Sequence, residues 1–394
     1  MKTKLNLYWD AKLSAFIIFL FIFMAAAITA PAVHSQADYS PVCYDGLPAG
    51  VYTQITPEVE LLAGVLSQTT WMEQMGPEGN GNQYFQELQA FFTDYREHEA
   101  VKIAQRLTDR GFTFDAPLGF IITLGPLPDL EPKTEYSDYL IGRARSNNPL
   151  GRIFGPGGQE ILEDFRLAFI DLNAESEFRS FFNRHRDDFK VYLEEAMEDF
   201  DAGRKIEWLT EFTGRNSDNE YYTILTPAMF PGGGYGPSVK LPDGSYQFYQ
   251  IIRERGASQD APEFPAGIEF NRLTLHEWGH SFIDPAVEAH RDYILEHLTD
   301  HYHKVEDSMQ AQAYGNPMIF FREQILRGVT TCAAGELYGE EHYENELEQH
   351  ISRDFHLTEI TVEKIEHYLA NREYYESFEE FVPEILKAYR GLQS

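Results

Sequence analysis

A chain of 394 residues that is 43% hydrophobic and 14% aromatic can bury a sizeable core, which excludes a largely disordered protein. Its 63 acidic and 32 basic side chains give a formal charge of −31 at pH 7, a field that repels nucleic acid and anionic membranes and argues against both as partners. Two cysteines, Cys43 and Cys332, are too few for a disulfide-stapled scaffold; one long-range bridge and two separate thiols are both open.

The first segment does not belong to the core. Lys2, Lys4 and Lys12 precede an apolar run from Ala15 to Ile28, and small residues with a proline follow in "TAPAVHSQA", the order of a secretory signal peptide over residues 1–35. The run is shorter than the roughly 20 apolar residues of a spanning helix, so cleavage is favoured over a retained anchor. The mature chain is then secreted or periplasmic, without a membrane partner once the signal is removed.

Residues 36–56 read as an extended entry segment. Helical periodicity covers 57–111, and "FTFDAPLGFIITLGPLPDLEP" (112–132) interrupts it with prolines and β-branched residues that suggest a short strand. Residues 133–158 read as loop, and helices return over 159–213. "YYTILTPAMF" (221–230) and "YQFYQIIRE" (246–254) read as strands around the glycine loop 231–237 and a turn at 241–245. Beyond Pro265 helices are expected at 269–283, 286–304, 316–336, 341–353, 358–372 and 377–391. The fold class is therefore α+β and predominantly helical. A boundary near 205 divides a helical N-terminal region (36–205) from a C-terminal domain (206–394), with one continuous domain as the alternative.

The chemistry concentrates in "LTLHEWGHSFIDP" (273–285). His276 and His280, four apart, share a helix face, and Glu277 lies beside it. This HExxH spacing supplies two zinc ligands and a general base. Uncharged flanks in so acidic a chain, and the cost of two unpartnered imidazoles on a buried helix, favour a metal site over chance. Asp284–Pro285 is expected to end the helix.

Zinc needs a third protein ligand. Asp284 continues the four-residue spacing but lies about 12 Å along the axis from His276, so it joins the same ion only if the chain turns sharply at Pro285. Glu323 is favoured: it sits in the apolar stretch "NPMIFFREQILRGVTTCAA", where a carboxylate needs compensation, with Arg327 one turn on. An ion pair with Arg327 alone is the plainer account of it. His297 and His301 share the same spacing in charged surroundings and read as a solvated helix face.

"LTPAMFPGGGYGPSVKLPDG", "LHEWGHSFIDP", "AYG" (313–315), "FREQILRGV" and the closing "IEHYLANREYYESFEEFVPEILKAY" together resemble an uncharacterised family of exported bacterial HExxH proteins, a domain of unknown function read as zincin-like metallopeptidases. The resemblance covers about 206–391 and rests on the order of the motifs. It implies a zincin-like domain with a small sheet beside the HExxH helix, His276 and His280 as ligands, Glu277 as base, and Glu323 as third ligand with Arg327 beside it. Where that family tends to have Asn-Pro, this chain has Asp284–Pro285, which leaves a role for the aspartate open. In such enzymes an edge strand pairs with the substrate, which points to 221–237, with Gly232, Gly233 and Gly234 allowing close approach of a peptide. Tyr314 and Tyr235 are candidates to steady an oxyanion.

The expectation is an exported zinc peptidase whose partner is a peptide or protein substrate, with Glu277 and Tyr314 catalytic and His276, His280 and Glu323 on Zn2+. A zinc amidohydrolase for non-peptide substrates and a non-catalytic binding protein with a structural metal are the rival readings. The oligomeric state is left open.

Overall fold

Strands from distant parts of the chain lie side by side in a computed structural model that describes residues 39–76, 81–145, 157–214, 219–228, 234–255, 260–312 and 314–392. The expected signal peptide, Gly232 and Gly233 lie outside the described residues. Strand β1 (Val42–Cys43) runs antiparallel to β2 (Val51–Ile55), which runs parallel to β3 (Glu220–Thr226). Strands β4 (Gly234–Tyr235) and β5 (Ser238–Lys240) lie antiparallel along the far side of β6 (Tyr246–Arg253), itself parallel to β3. Val51, Tyr221 and Phe248 form one transverse row, and Thr53, Thr223 and Gln250 form the next on the same face.

Parallel neighbours need a crossover. Between β2 and β3 that crossover is the whole helical stretch from α1 (Pro57–Leu66) through α2 (Asp115–Thr123) to α3 (Ala202–Thr213). Thr56 caps α1 by accepting from Val59 N at 3.4 Å, with Pro57 in the first turn, where its missing N–H costs nothing. Residues 40–394 form one compact unit, and the boundary expected near 205 falls inside α3. The molecule is α+β and mostly helical, as expected.

Several local expectations fail. Residues 133–158, read as loop, contain a helix over Asp138–Ala144 that Ser137 caps. The strand expected in 112–132 is the buried helix α2, followed only by an isolated bridge between Leu124 and Pro132. Its residues are nearly all apolar, so no periodicity separates helix from strand, and Pro117 falls in the first turn, where a helix tolerates it. Helix α4 (Gly267–Glu288) does not stop at Asp284 but runs through Pro285. Burial of Ile283, Ala286 and Val287 holds the last turn against the hydrogen bond that proline removes.

Helix α4 lies against the sheet face that carries Tyr221. That ring packs on Trp278 and Phe282, at 5.2 and 6.1 Å between centroids. Gln250 Nε2 donates to Thr223 and Thr274 hydroxyls at 2.7 and 2.8 Å, tying β6 to β3 and α4. On its other side α4 meets α5 (Pro317–Tyr338), which also carries α6 (Glu340–Ser352) and α7 (Thr358–Ala370). Cys43 is exposed and Cys332 buried, both free thiols. Among the described residues no helix is long and apolar enough to cross a membrane.

Candidate metal centre

The two longest of the labelled helices carry the centre. Helix α5 starts where Asn316 accepts from Ile319 N at 3.1 Å and Pro317 takes the first turn. It crosses α4 closely because Gly279 has no side chain: a Cβ there would stand 2.6 Å from Leu326 Cδ1. The close crossing puts Glu323 opposite both histidines.

His276, His280 and Glu323 each offer one atom to a common space, all within 4.8 Å of one another. His280 Nε2 lies 3.3 Å from Glu323 Oε1, and His276 Nε2 lies 3.6 Å from Glu323 Oε2. The imidazoles meet edge to face, 4.9 Å between centroids. Among the described residues this trio is the group of side chains arranged to hold a metal ion.

Charges around the trio are arranged by two chains of contacts. Arg327 Nη2 donates to Glu323 Oε2 at 2.8 Å and to the Tyr314 hydroxyl at 2.9 Å. Arg327 Nη1 lies 3.3 Å from His350 Nδ1, His350 Nε2 lies 3.0 Å from Glu346, and Arg272 on α4 bonds Glu346 in turn. The second chain starts at His280, whose Nδ1 is 3.3 Å from Asp284 Oδ1. Arg322 stands 4.0 Å from Asp284 Oδ2 and bonds Glu288.

These contacts set the ionisation states. Burial opposes charge on Glu323, yet Arg327 and the two imidazoles hold its carboxyl far below the ordinary range. Burial pushes His276 well below the ordinary imidazole value, towards the neutral form that binds a metal. Burial acts the same way on His280, but Asp284 and Glu323 outweigh it and raise the group. Burial lifts Glu277 to about 7.

Glu277 meets the strand edge. A Cβ on Gly234 would stand 3.0 Å from Glu277 Oε1, and one on Gly236 would stand 2.6 Å from Glu277 O and 3.0 Å from Oε2. The room at these glycines is therefore taken by the glutamate of the helix. Tyr235 stands between these two glycines, and burial raises its hydroxyl, with Asp115 and Glu277 adding to the effect and Arg253 opposing it.

The expected residues thus fall into distinct places. His276, His280 and Glu323 come together, with Glu277 beside them and Tyr314 joined to Glu323 through one guanidinium nitrogen of Arg327. Asp284 is not in the trio: with the helix unbroken it stays one turn beyond His280 and meets its back nitrogen. His301 is buried, its Nε2 2.9 Å from the Tyr389 carbonyl, so the solvated face expected for it is not found. The Arg272–Glu346–His350 chain was missed; the four-residue spacing of Glu346 and His350 was its only local signal.

A family model described as a domain of unknown function, DUF4932, matches residues 54–388. No curated protein and no solved structure matches the chain.

Proposed function

The chain belongs to the DUF4932 family, and from the centre just described we propose that it is an exported zinc metallopeptidase with a zincin-like site. The observation that carries the reading is the spacing of the three ligand atoms. At the usual zinc–nitrogen and zinc–oxygen lengths, two ligands of a tetrahedral ion stand about 3.4 Å apart. His280 Nε2 stands 3.3 Å from Glu323 Oε1 and His276 Nε2 3.6 Å from the other oxygen, Oε2, with one atom from each of the three side chains within 4.8 Å of the others. Three protein ligands leave a fourth position, the pattern of catalytic rather than structural zinc. Zinc bound there would acidify a water molecule and polarise a carbonyl.

The chain's own residues supply the proton traffic. Glu277, buried beside the trio, accepts the proton of the attacking water and returns it to the leaving amine. A carboxyl near pH 7 is poised for both transfers. Tyr314 accepts from Arg327 and keeps its own proton to donate towards the oxygen of a tetrahedral intermediate. Within the expected edge segment 221–237, β3 is interior, flanked by β2 and β6, so β4 is the strand that offers a peptide a backbone to pair with.

Metal analysis of the purified mature chain should find one zinc, absent from His276→Ala. Glu277→Gln should keep the zinc and lose hydrolysis of an unfolded protein by at least about a hundredfold. A zinc-loaded Glu277→Gln chain with full activity would refute the assignment of the base. A wild-type chain that takes up zinc without hydrolysing any protein or peptide would favour a structural metal.

A further inference from the structure

We propose that Asp284 is the positioning residue that commits one nitrogen of His280 to a hydrogen bond and leaves the other for the metal. The inference rests on the metal reading above and concerns a residue outside the trio. An imidazole ligand has two nitrogens, and one of them must hold its proton elsewhere if the other is to present a lone pair. For His280 the division is visible in the geometry. Nε2 faces Glu323 and the common space, while Nδ1 faces Asp284 Oδ1 at 3.3 Å.

The carboxylate is itself held. Because α4 continues through Pro285, Asp284 stays on the stripe of His276 and His280 instead of turning into a loop. Arg322, the residue before Glu323 on α5, reaches Asp284 Oδ2 at 4.0 Å and grips Glu288, which Arg291 also grips. Two adjacent residues of α5 therefore address the two sides of one histidine: Glu323 its metal-facing nitrogen, Arg322 the aspartate behind it. A carboxylate partner also makes the imidazole a stronger donor, which an amide in its place does only weakly.

The competing account is an ordinary i,i+4 pair on a helix, worth a few tenths of a kcal/mol to stability and nothing to a metal. Zinc affinity separates the two. Measured by competition with a chromogenic chelator, affinity should fall about 10- to 100-fold in Asp284→Ala and by less in Asp284→Asn, which keeps an acceptor oxygen. The unfolding midpoints of the metal-free chains should stay close to wild type. In the zinc-loaded wild type, nitrogen-15 NMR should show a strongly deshielded proton on His280 Nδ1, weakened in Asp284→Asn and lost in Asp284→Ala. Unchanged zinc affinity in a folded Asp284→Ala chain, with that proton still present, overturns the proposal and leaves the metal reading intact. A wild-type chain that binds no zinc overturns the metal reading, and this inference falls with it.

Discussion

A carboxylate that takes a proton from water and gives it back must be shielded enough to hold its pKa near the working pH and fixed enough to meet the same atom twice. Around Glu277 both conditions depend on two residues without side chains. Gly234 and Gly236 let the strand backbone lie directly on the carboxylate, excluding water from that side. Gly236→Ala should push Glu277 aside, because its new Cβ would stand 2.6 Å from a helix carbonyl, which cannot yield as a flexible side chain can. A displacement near 1 Å costs on the order of a hundredfold in rate, so kcat should fall by at least about tenfold at unchanged zinc content. Full activity in Gly236→Ala would show that the contact does not set the base. At this scale the sequence was legible where the chemistry repeats along one helix. His276, Glu277 and His280 follow from spacing alone, and Glu323 stands out as an acid among apolar neighbours. Gly234 and Asp284 were seen but given other tasks, and Gly236 was given none, because which group fills a small space, or faces a back nitrogen, depends on how α4 meets β4 and α5.

Elements hold the centre through pairs that only docking creates. Helix α6, expected only as a helix over 341–353, turns Glu346 and His350 inward to a guanidinium on each neighbour, Arg272 of α4 and Arg327 of α5. Burial alone would raise the Glu346 carboxyl; His350 and Arg272 outweigh it and hold the group at about 2. A carboxyl whose folded pKa lies below its unfolded value of about 4.5 contributes stability that is fully present above pH 4.5 and lost as pH falls towards 2. The contribution is on the order of 3 kcal/mol. Denaturant midpoints followed from pH 5 to pH 2 should therefore fall more steeply in wild type than in Glu346→Gln, which starts less stable and has less to lose. Parallel curves would mean that the pair does not dock α6. Helix existence was legible over most of the C-terminal half from periodicity, but the short helix Glu306–Ala311 lies outside every expected range, and element ends were not legible. Pro285 looks like a stop because its local cost is visible in the sequence and the burial of Ile283, Ala286 and Val287 is not.

At the scale of the molecule, the change of character near residue 205 is real in composition and does not divide the structure. Position 205 lies inside α3, whose Lys205 is buried and bonded to Asn271 of α4. Asn271 also donates to the Asp199 carbonyl at 2.8 Å, so the helix bearing the histidines is anchored in residues before the expected boundary. The sheet makes the dependence stronger. Strand β2 pairs with β3 from Val51 to Gln54, and the family model that crosses this region begins at residue 54. Sequence reading could not recover the pairing, because a parallel partner some 170 residues away leaves no local mark and the intervening helices look self-sufficient. A chain of residues 206–394 alone would expose one edge of β3, lose Val51 and Thr53 from beside Tyr221 and Thr223, and free the start of α4. It should give no cooperative unfolding transition, lose near-ultraviolet circular dichroism and bind no zinc, whereas residues 36–394 should unfold in a single step with the metal bound. Cooperative unfolding of the fragment with zinc retained would instead make the helical half an accessory to a self-contained domain. On the structure's topology the fragment fails: the 57–213 helices are the connection between two adjacent strands, and the site sits on the sheet that this connection closes.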